Sequence, residues 1–357
     1  MMKVGIRVDG STNIGMGHIM RCLSLAKGFR NASIDVYFLS KFEQGILKIR
    51  EEGYEAIELT HHSEIHTEEF YYGDVLSLKE ETDEIIQRLN VLNLDILFID
   101  SYNVTEEFFL KLKPFVKKLC YIDDINKFTY PVDVLVNGNI TGESLGYKRY
   151  YEDEILMLGV KYNLIRDEFK NLPERIVNRG VKEIMITTGG SDPFELSLRL
   201  AGTIIASGWL KDIVINIVAG RGFTNLDSLR DLSQKNANVV IHENVSKMSE
   251  LMLKCDIAIT AGGSTLYELC ACGTPALAFI IAENQKEVVD MLCDKGYIQS
   301  LGWHNEFTDL EFLNALELLC KDYGKRVSCS KKMQKLVDGE GVRRIVDELV
   351  LLNIVHF

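Results

Sequence analysis

No run of apolar residues in this chain is long enough to cross a membrane. The longest, Ala276 to Ala282, falls far short of the roughly 20 residues such a span needs. The start, Met1-Met2-Lys3 running into Val4-Gly5-Ile6-Arg7-Val8-Asp9, is too short and too charged for a secretory signal, so a cytoplasmic location without membrane insertion is expected. Cysteine is sparse: 8 in 357 residues cannot make a disulfide scaffold. The only close pair, Cys270-Ala271-Cys272, has no His or Cys partners at zinc spacing, so buried free thiols and no metal site are expected there. Positive charge is in deficit, with 40 Lys and Arg against 52 Asp and Glu and a net charge of −12. That surface repels nucleic acid, while a local nest of backbone N–H groups still suits a small phosphate ligand. No Asp-x-Asp pair occurs, so the metal-diphosphate motif of one large class of sugar transferases is missing.

What the chain does have is a 46% hydrophobic content beside 26% charge, enough core for two domains. Short apolar runs alternate with longer amphipathic ones, the βαβ signature of parallel sheets. Strands are expected at Lys3–Asp9, Ile34–Leu39, Glu55–Leu59, Ile96–Asp100, Lys118–Asp123 and Val134–Asn137. A second set is expected at Glu183–Thr187, Ile213–Val218, Val239–His242, Ile257–Thr260 and Ala276–Ile280. A polar stretch around Arg166–Arg179 with Pro173 reads as the boundary. The expectation is a Rossmann-like domain over 1–165, a second over 180–340 and a C-terminal helix within 341–357 that packs on either one. Two doubly wound halves of this kind would turn the C-terminal ends of their strands to a shared cleft, where ligands of such sheets bind.

Three glycine turns stand at strand ends. The first, Gly10 to Gly17, is neither a Walker A loop, since Met16 follows Gly15, nor a dinucleotide fingerprint, since position 20 is Met. It leads into a helix whose first turn carries His18, with Ile19, Cys22, Leu23, Ala26 and Phe29 on the core side. A helix N-terminus disfavours the imidazolium, which would leave the ring a neutral proton acceptor; the plainer reading is a His that packs the turn. The second, Thr260-Ala-Gly-Gly-Ser-Thr-Leu-Tyr-Glu268, offers the N–H groups of Gly263, Ser264 and Thr265 to a diphosphate and Glu268 to a ribose. Thr265-x-x-Glu268 is equally a capping box. The third, Gly189-Gly190-Ser191-Asp192, suits a phosphate or sugar contact, or a cap in which Asp192 opens the next helix. Tyr102 follows the strand end at Asp100, either in the cleft or exposed. Asn284-Gln285 either bonds sugar hydroxyls or caps a helix. His61, His62 and His66 read as solvated.

Together the segments Arg7-x-Asp9-x-Ser11-x-x-Ile14-Gly15-x-Gly17-His18-x-x-Arg21-Cys22, Ile99-Asp100-x-Tyr102, Thr188-Gly189-Gly190-Ser191-Asp192, Gly263 to Glu268 and Asn284-Gln285 resemble a known family. It is the UDP-sugar hydrolase of pseudaminic acid biosynthesis, which acts on UDP-2,4-diacetamido-2,4,6-trideoxy-β-L-altropyranose. Leu158-Gly-x-Lys-Tyr162-Asn-Leu-Ile-Arg166-x-Glu168-Phe169 fits that family's domain junction. The match runs from about residue 2 to 300 and is also similar to spore-coat polysaccharide proteins. The resemblance implies an α/β GT-B fold near the MurG-type transferases and metal-independent, inverting hydrolysis at the sugar carbon, with no cofactor. It implies His18 as the base that activates water and Tyr102 as a second active-site residue. Asp9, Ser11, Gly15, Gly17 and Arg21 would face the substrate. Gly190, Ser191, Gly263, Ser264, Thr265, Glu268, Asn284 and Gln285 would hold UDP. Ser101 and the tail beyond about 300 depart from the pattern. A transferase of the same fold and a silent nucleotide-sugar-binding protein are the rival readings, and a nicotinamide dehydrogenase fails at Met20.

Overall fold

The computed structural model describes residues 2–11, 14–60, 75–208 and 210–354. The three histidines at 61, 62 and 66 lie outside them. The chain forms two compact units, Met1–Arg166 with Glu340–Phe357, and Asp167–Gly339. The first unit runs β1 (Lys3–Val8), α1 (Gly17–Asn31), β2 (Asp35–Ser40), α2 (Glu43–Glu51), β3 (Glu55–Glu58), α3 (Val75–Leu92), β4 (Ile96–Asp100), α4 (Glu106–Leu112), β5 (Lys118–Ile122), β6 (Val134–Asn137) and β7 (Ile155–Leu158). The second runs β8 (Glu183–Thr187), α5 (Leu196–Ser207), β9 (Val214–Ala219), α6 (Leu226–Lys235), β10 (Val239–Glu243), α7 (Met248–Lys254), β11 (Ile257–Ala261), α8 (Thr265–Cys272), β12 (Ala276–Ile280), α9 (Glu283–Asp294), β13 (Gln299–Trp303), α10 (Asp309–Lys321) and α11 (Tyr323–Leu336). The last helix, α12 (Gly341–Ile354), returns to the first unit.

Each unit is a doubly wound parallel sheet, as the alternation of runs predicts. The first orders its strands β3-β2-β1-β4-β5-β6-β7 and the second β10-β9-β8-β11-β12-β13. In each, the chain leaves its first strand to one side and then crosses back to the other. The crossing opens a switch point between β1 and β4, and another between β8 and β11. The strands beside these points are closed to solvent: β4 and β11 are buried along their whole length, which the Ile-Leu-Phe-Ile and Ile-Ala-Ile-Thr runs require. Strands β7 and β13 are additions to the sequence reading. Both are sheet edges and only half-buried, so neither carries the continuous apolar run that marks an interior strand. Helices α10 and α11 are also new; α10 opens on a full capping box of Thr308 and Glu311.

The helix that matters most for the site is α1. It buries Ile19, Cys22, Leu23, Ala26 and Phe29, of which Ile19, Leu23 and Phe29 are each worth about 1.5–3 kcal/mol. Its outer side takes α12: a Cβ at Gly28 would stand 2.4 Å from Val342, so only glycine lets the two helices approach. Tyr162 donates to Glu348 at 2.8 Å and Arg344 to the Lys161 carbonyl at 3.0 Å, fixing α12 there. The C-terminal segment thus braces the helix that starts at the first glycine turn.

Candidate active site

In the first unit the chemistry gathers where β1, β4, β5 and β6 end. The turn after β1 closes on itself: Gly15 donates to the Ser11 carbonyl at 2.8 Å and Ile14 to Ser11 Oγ at 3.2 Å, with Gly15 at φ +82°. That positive φ is open to glycine and strained for other residues. Helix α1 then starts at Gly17, one residue before His18.

His18 points across the switch point. Its Nδ1 lies 2.6 Å from Asp100 Oδ1, a contact between residues 82 apart in sequence. The Asp100 carboxylate is wholly buried and surrounded by donors. Arg21 Nη2 donates to Oδ1 at 2.6 Å and Arg21 Nε to Oδ2 at 2.7 Å, while Cys22 Sγ donates to Oδ2 at 3.2 Å. Burial alone would raise this carboxyl; Arg21 and His18 outweigh it and hold it well below the usual range. An anionic carboxylate can only accept, so the 2.6 Å contact calls for a proton on Nδ1, beside which Arg21 Nη2 stands at 3.1 Å. Nε2 has no partner among the described residues, and it is not sealed from solvent. The expectation that the helix end governs the ring is corrected here: its dominant neighbour is Asp100.

A second carboxylate completes the cluster. Asp124, just past β5, accepts Arg21 Nη1 at 2.8 and 2.9 Å, Tyr102 Oη at 2.7 Å and Asn139 Nδ2 at 2.7 Å. Burial pushes it up, and Arg21 and His18 more than offset that. Tyr102 is buried, and its ring meets the His18 ring edge-on, 5.0 Å between centroids. Asp124 and Asn139 were not singled out by sequence, and Asp100 stood there only as part of the Ile99-Asp100-x-Tyr102 segment, with no role of its own. A usable signal existed, since acidic residues cap the strand ends at Asp9, Asp100 and Asp123-Asp124.

Three expected substrate contacts are relocated. Asp9 is fully buried: its Oδ2 accepts Arg7 at 2.6 Å and its Oδ1 the Lys41 N–H at 2.9 Å. Arg7 Nε and Lys41 Nζ also reach Glu81, at 2.6 and 2.7 Å. Asp9 therefore anchors the base of the turn. Ser11 is likewise buried and holds the turn closed, and Arg21 is taken up by the two carboxylates. Gly17 is exposed, and a Cβ at Gly15 or Gly17 would meet nothing, so the turn's outer side is open.

The second unit repeats the arrangement at its own switch point. The turn after β11 leads into α8, whose N-cap is Ser264 and which has no side-chain cap. The Thr265 to Glu268 capping box is therefore not formed. Among the described residues the N–H groups of Gly263, Ser264 and Thr265 have no acceptor, and Gly263 and Ser264 stand open. Glu268 follows one turn on, half-buried. Beside it, after β8, Gly190 is exposed and Ser191 half-buried, while Asp192 takes the N–H groups of Leu196 and Ser197, both at 2.9 Å. Asp192 thus takes the first two N–H groups of α5, although the N-cap position itself is Glu195. Asn284 is exposed in the first turn of α9. Gln285 is a correction: its Oε1 accepts the Ile281 N–H at 3.0 Å and leans over Gly262, so it props the turn. No group of three or more His, Cys, Asp or Glu that could hold a metal occurs among the described residues.

Comparison with known proteins decides the family. The glycosyltransferase family 28 C-terminal domain matches residues 184–301. The UDP-2,4-diacetamido-2,4,6-trideoxy-β-L-altropyranose hydrolase of Campylobacter jejuni is 30% identical over 304 residues, covering 83% of this chain and 98% of that one. The chain belongs to this hydrolase family. The spore coat polysaccharide biosynthesis protein SpsG of Bacillus subtilis is 26% identical over 353 residues, covering 96% of each. A Methanocaldococcus jannaschii protein is 30% identical over 302 residues, and there the chain spans 58% of the relative's length. Among solved structures, MurG of Acinetobacter baumannii superposes with a TM-score of 0.67 at 14% identity, over 97% of this chain and 99% of that one. That likeness bears out the GT-B fold.

Proposed function

We propose that this protein hydrolyses a UDP-sugar at the anomeric C–O bond, releasing UDP and the free sugar with inversion at C1. The sugar is taken to be 2,4-diacetamido-2,4,6-trideoxy-β-L-altropyranose, the one named for the Campylobacter relative, which places the reaction in synthesis of a pseudaminic acid-type sugar. The observation that carries this reading is the His18–Asp100 pair across the β1/β4 switch point. Water attacks C1 and gives a proton to His18 Nε2. The C1–O bond breaks, and its electron pair leaves with the diphosphate. Asp100 holds the ring's orientation and stabilises the imidazolium that forms, the part a carboxylate plays in a catalytic triad. A base so placed contributes about 10²–10⁴ in rate.

The second unit is the nucleotide anchor in this proposal. The open N–H groups at the start of α8 suit the diphosphate and the charge it gains on leaving. Glu268 is positioned for the ribose hydroxyls, with Gly190, Ser191 and Asn284 as further contacts. Water as nucleophile and independence from metal belong to the proposal, and so does the cytoplasmic setting.

His18→Ala is expected to lower kcat on this UDP-sugar by about 10²–10⁴ while leaving the Kd for UDP, read by calorimetry, within about twofold. Near-normal turnover by the variant would remove His18 from the role of base. The match to a glycosyltransferase C-terminal domain favours one rival, transfer to an acceptor sugar. Release of free sugar with no acceptor present separates the two.

A further inference from the structure

The hydrolase reading needs a His18 ring held in one tautomer, and Asp100 alone does not explain how its own position is fixed. Asp100 lies at the end of β4, and its charge is met by Arg21 from α1. An arginine with two donors on one carboxylate has a third side still to place. In this structure that side goes to Asp124, at the end of β5. The guanidinium thus bridges two carboxylates from neighbouring strands, a fork geometry that lysine cannot reproduce. Asp124 is held in turn by Tyr102 and Asn139, so its orientation is set from β4 and β6.

We propose that Asp124 is a positioning residue for the hydrolysis: by holding Arg21 in its bridge it fixes Asp100, and through Asp100 it fixes His18 as the Nδ1–H tautomer with Nε2 toward the substrate. The proposal rests on the reading of His18 as the base. It gives Arg21 a part in building the base rather than in gripping the sugar. It also explains why Tyr102 is buried against the ring: its hydroxyl is committed to Asp124, and its ring closes one side of His18.

Among the described residues the charges around the ring can be named. Asp100 and Arg21 touch it, Asp124 acts on it through space, Cys22 donates to Asp100, and Tyr102 donates to Asp124. Asp123 precedes Asp124; its Oδ2 accepts Tyr147 at 2.5 Å and the Asn126 N–H at 2.6 Å. Removing the Asp124 charge leaves one carboxylate against one guanidinium. An imidazolium then gains less from its surroundings, and the acidic limb of the kcat/KM profile moves to lower pH.

The test uses the full chain labelled with ¹⁵N-histidine, with His18 assigned by its loss in His18→Gln. Long-range ¹H–¹⁵N spectra of the free protein should show a single Nδ1–H pattern for His18 in the wild type. In Asp124→Asn they should show both tautomers in exchange. With the UDP-sugar as substrate, the same variant should lose about 10- to 100-fold in kcat with KM changed by less than threefold, and its acidic limb should shift downward. Asp124→Glu, which keeps the charge, should recover part of the loss. If Asp124→Asn fails to fold, Arg21→Lys reads the same link from its other end and should also show mixed tautomers. An unchanged His18 pattern in a folded variant, together with an unmoved pH profile, overturns the proposal. If the tautomer shifts but the wild type turns over no UDP-sugar, the positioning role stands and the hydrolase reading falls.

Discussion

Asp9 and Asp100 sit at equivalent places, the ends of two neighbouring strands, and serve different ends. Asp100 receives the histidine; Asp9 receives Arg7 and Lys41, which share Glu81 from α3. Burial would raise Asp9, and the two cations outweigh it and keep it anionic. Four charges closed off together are stable only as a balanced set, because each ion removed leaves another uncompensated. Glu81→Gln leaves two cations on Asp9 alone and is expected to cost about 3–5 kcal/mol in urea unfolding. A loss under about 1 kcal/mol would mean that the set does not anchor the turn. Because this set lies in the first unit and the proposed nucleotide anchor in the second, the surviving folded fraction of Glu81→Gln should still bind UDP.

At the scale of elements, the glycine turns were legible because each follows a short apolar run and precedes an amphipathic one. The alternation gives strand ends, and strand ends are where open α/β sheets bind ligands. The pairing of His18 with Asp100 was not legible in the same way. It depends on β1 lying next to β4, which the crossover decides and local pattern does not. Asp124 was hidden for the same reason, since it comes to Arg21 only because β5 lies beyond β4. Thr265 and Glu268 fit a capping box by spacing, but the helix begins one residue too early for Thr265 to be the cap. The edge strands β7 and β13 escaped because half-exposed strands need no continuous apolar run. The turn after β8 has a dependence that sequence alone does not reveal. A Cβ at Gly220 would stand 2.4 Å from the Gly190 carbonyl oxygen, and Gly222 donates to that oxygen at 3.0 Å. Gly220→Ala must therefore displace the Gly190 turn. A drop in UDP affinity of about tenfold, with His18 chemistry intact at saturating substrate, is the expected result; unchanged affinity would take Gly190 out of the nucleotide site.

At the scale of the whole molecule, one winding is used twice, and each copy places its open loops at its own switch point. The first sheet's loops carry titratable groups in contact, and the second sheet's carry glycines and free N–H groups at a helix start. This division suits a base in one unit and a phosphate anchor in the other, and α12 ties the end of the chain back to the helix bearing His18. The most direct measurement of that account is turnover of the UDP-sugar in ¹⁸O-water with chelator present, followed by mass spectrometry of both products. The account predicts label on the free sugar, none on UDP, and a rate unchanged by chelator. Label on the phosphate would contradict attack at carbon.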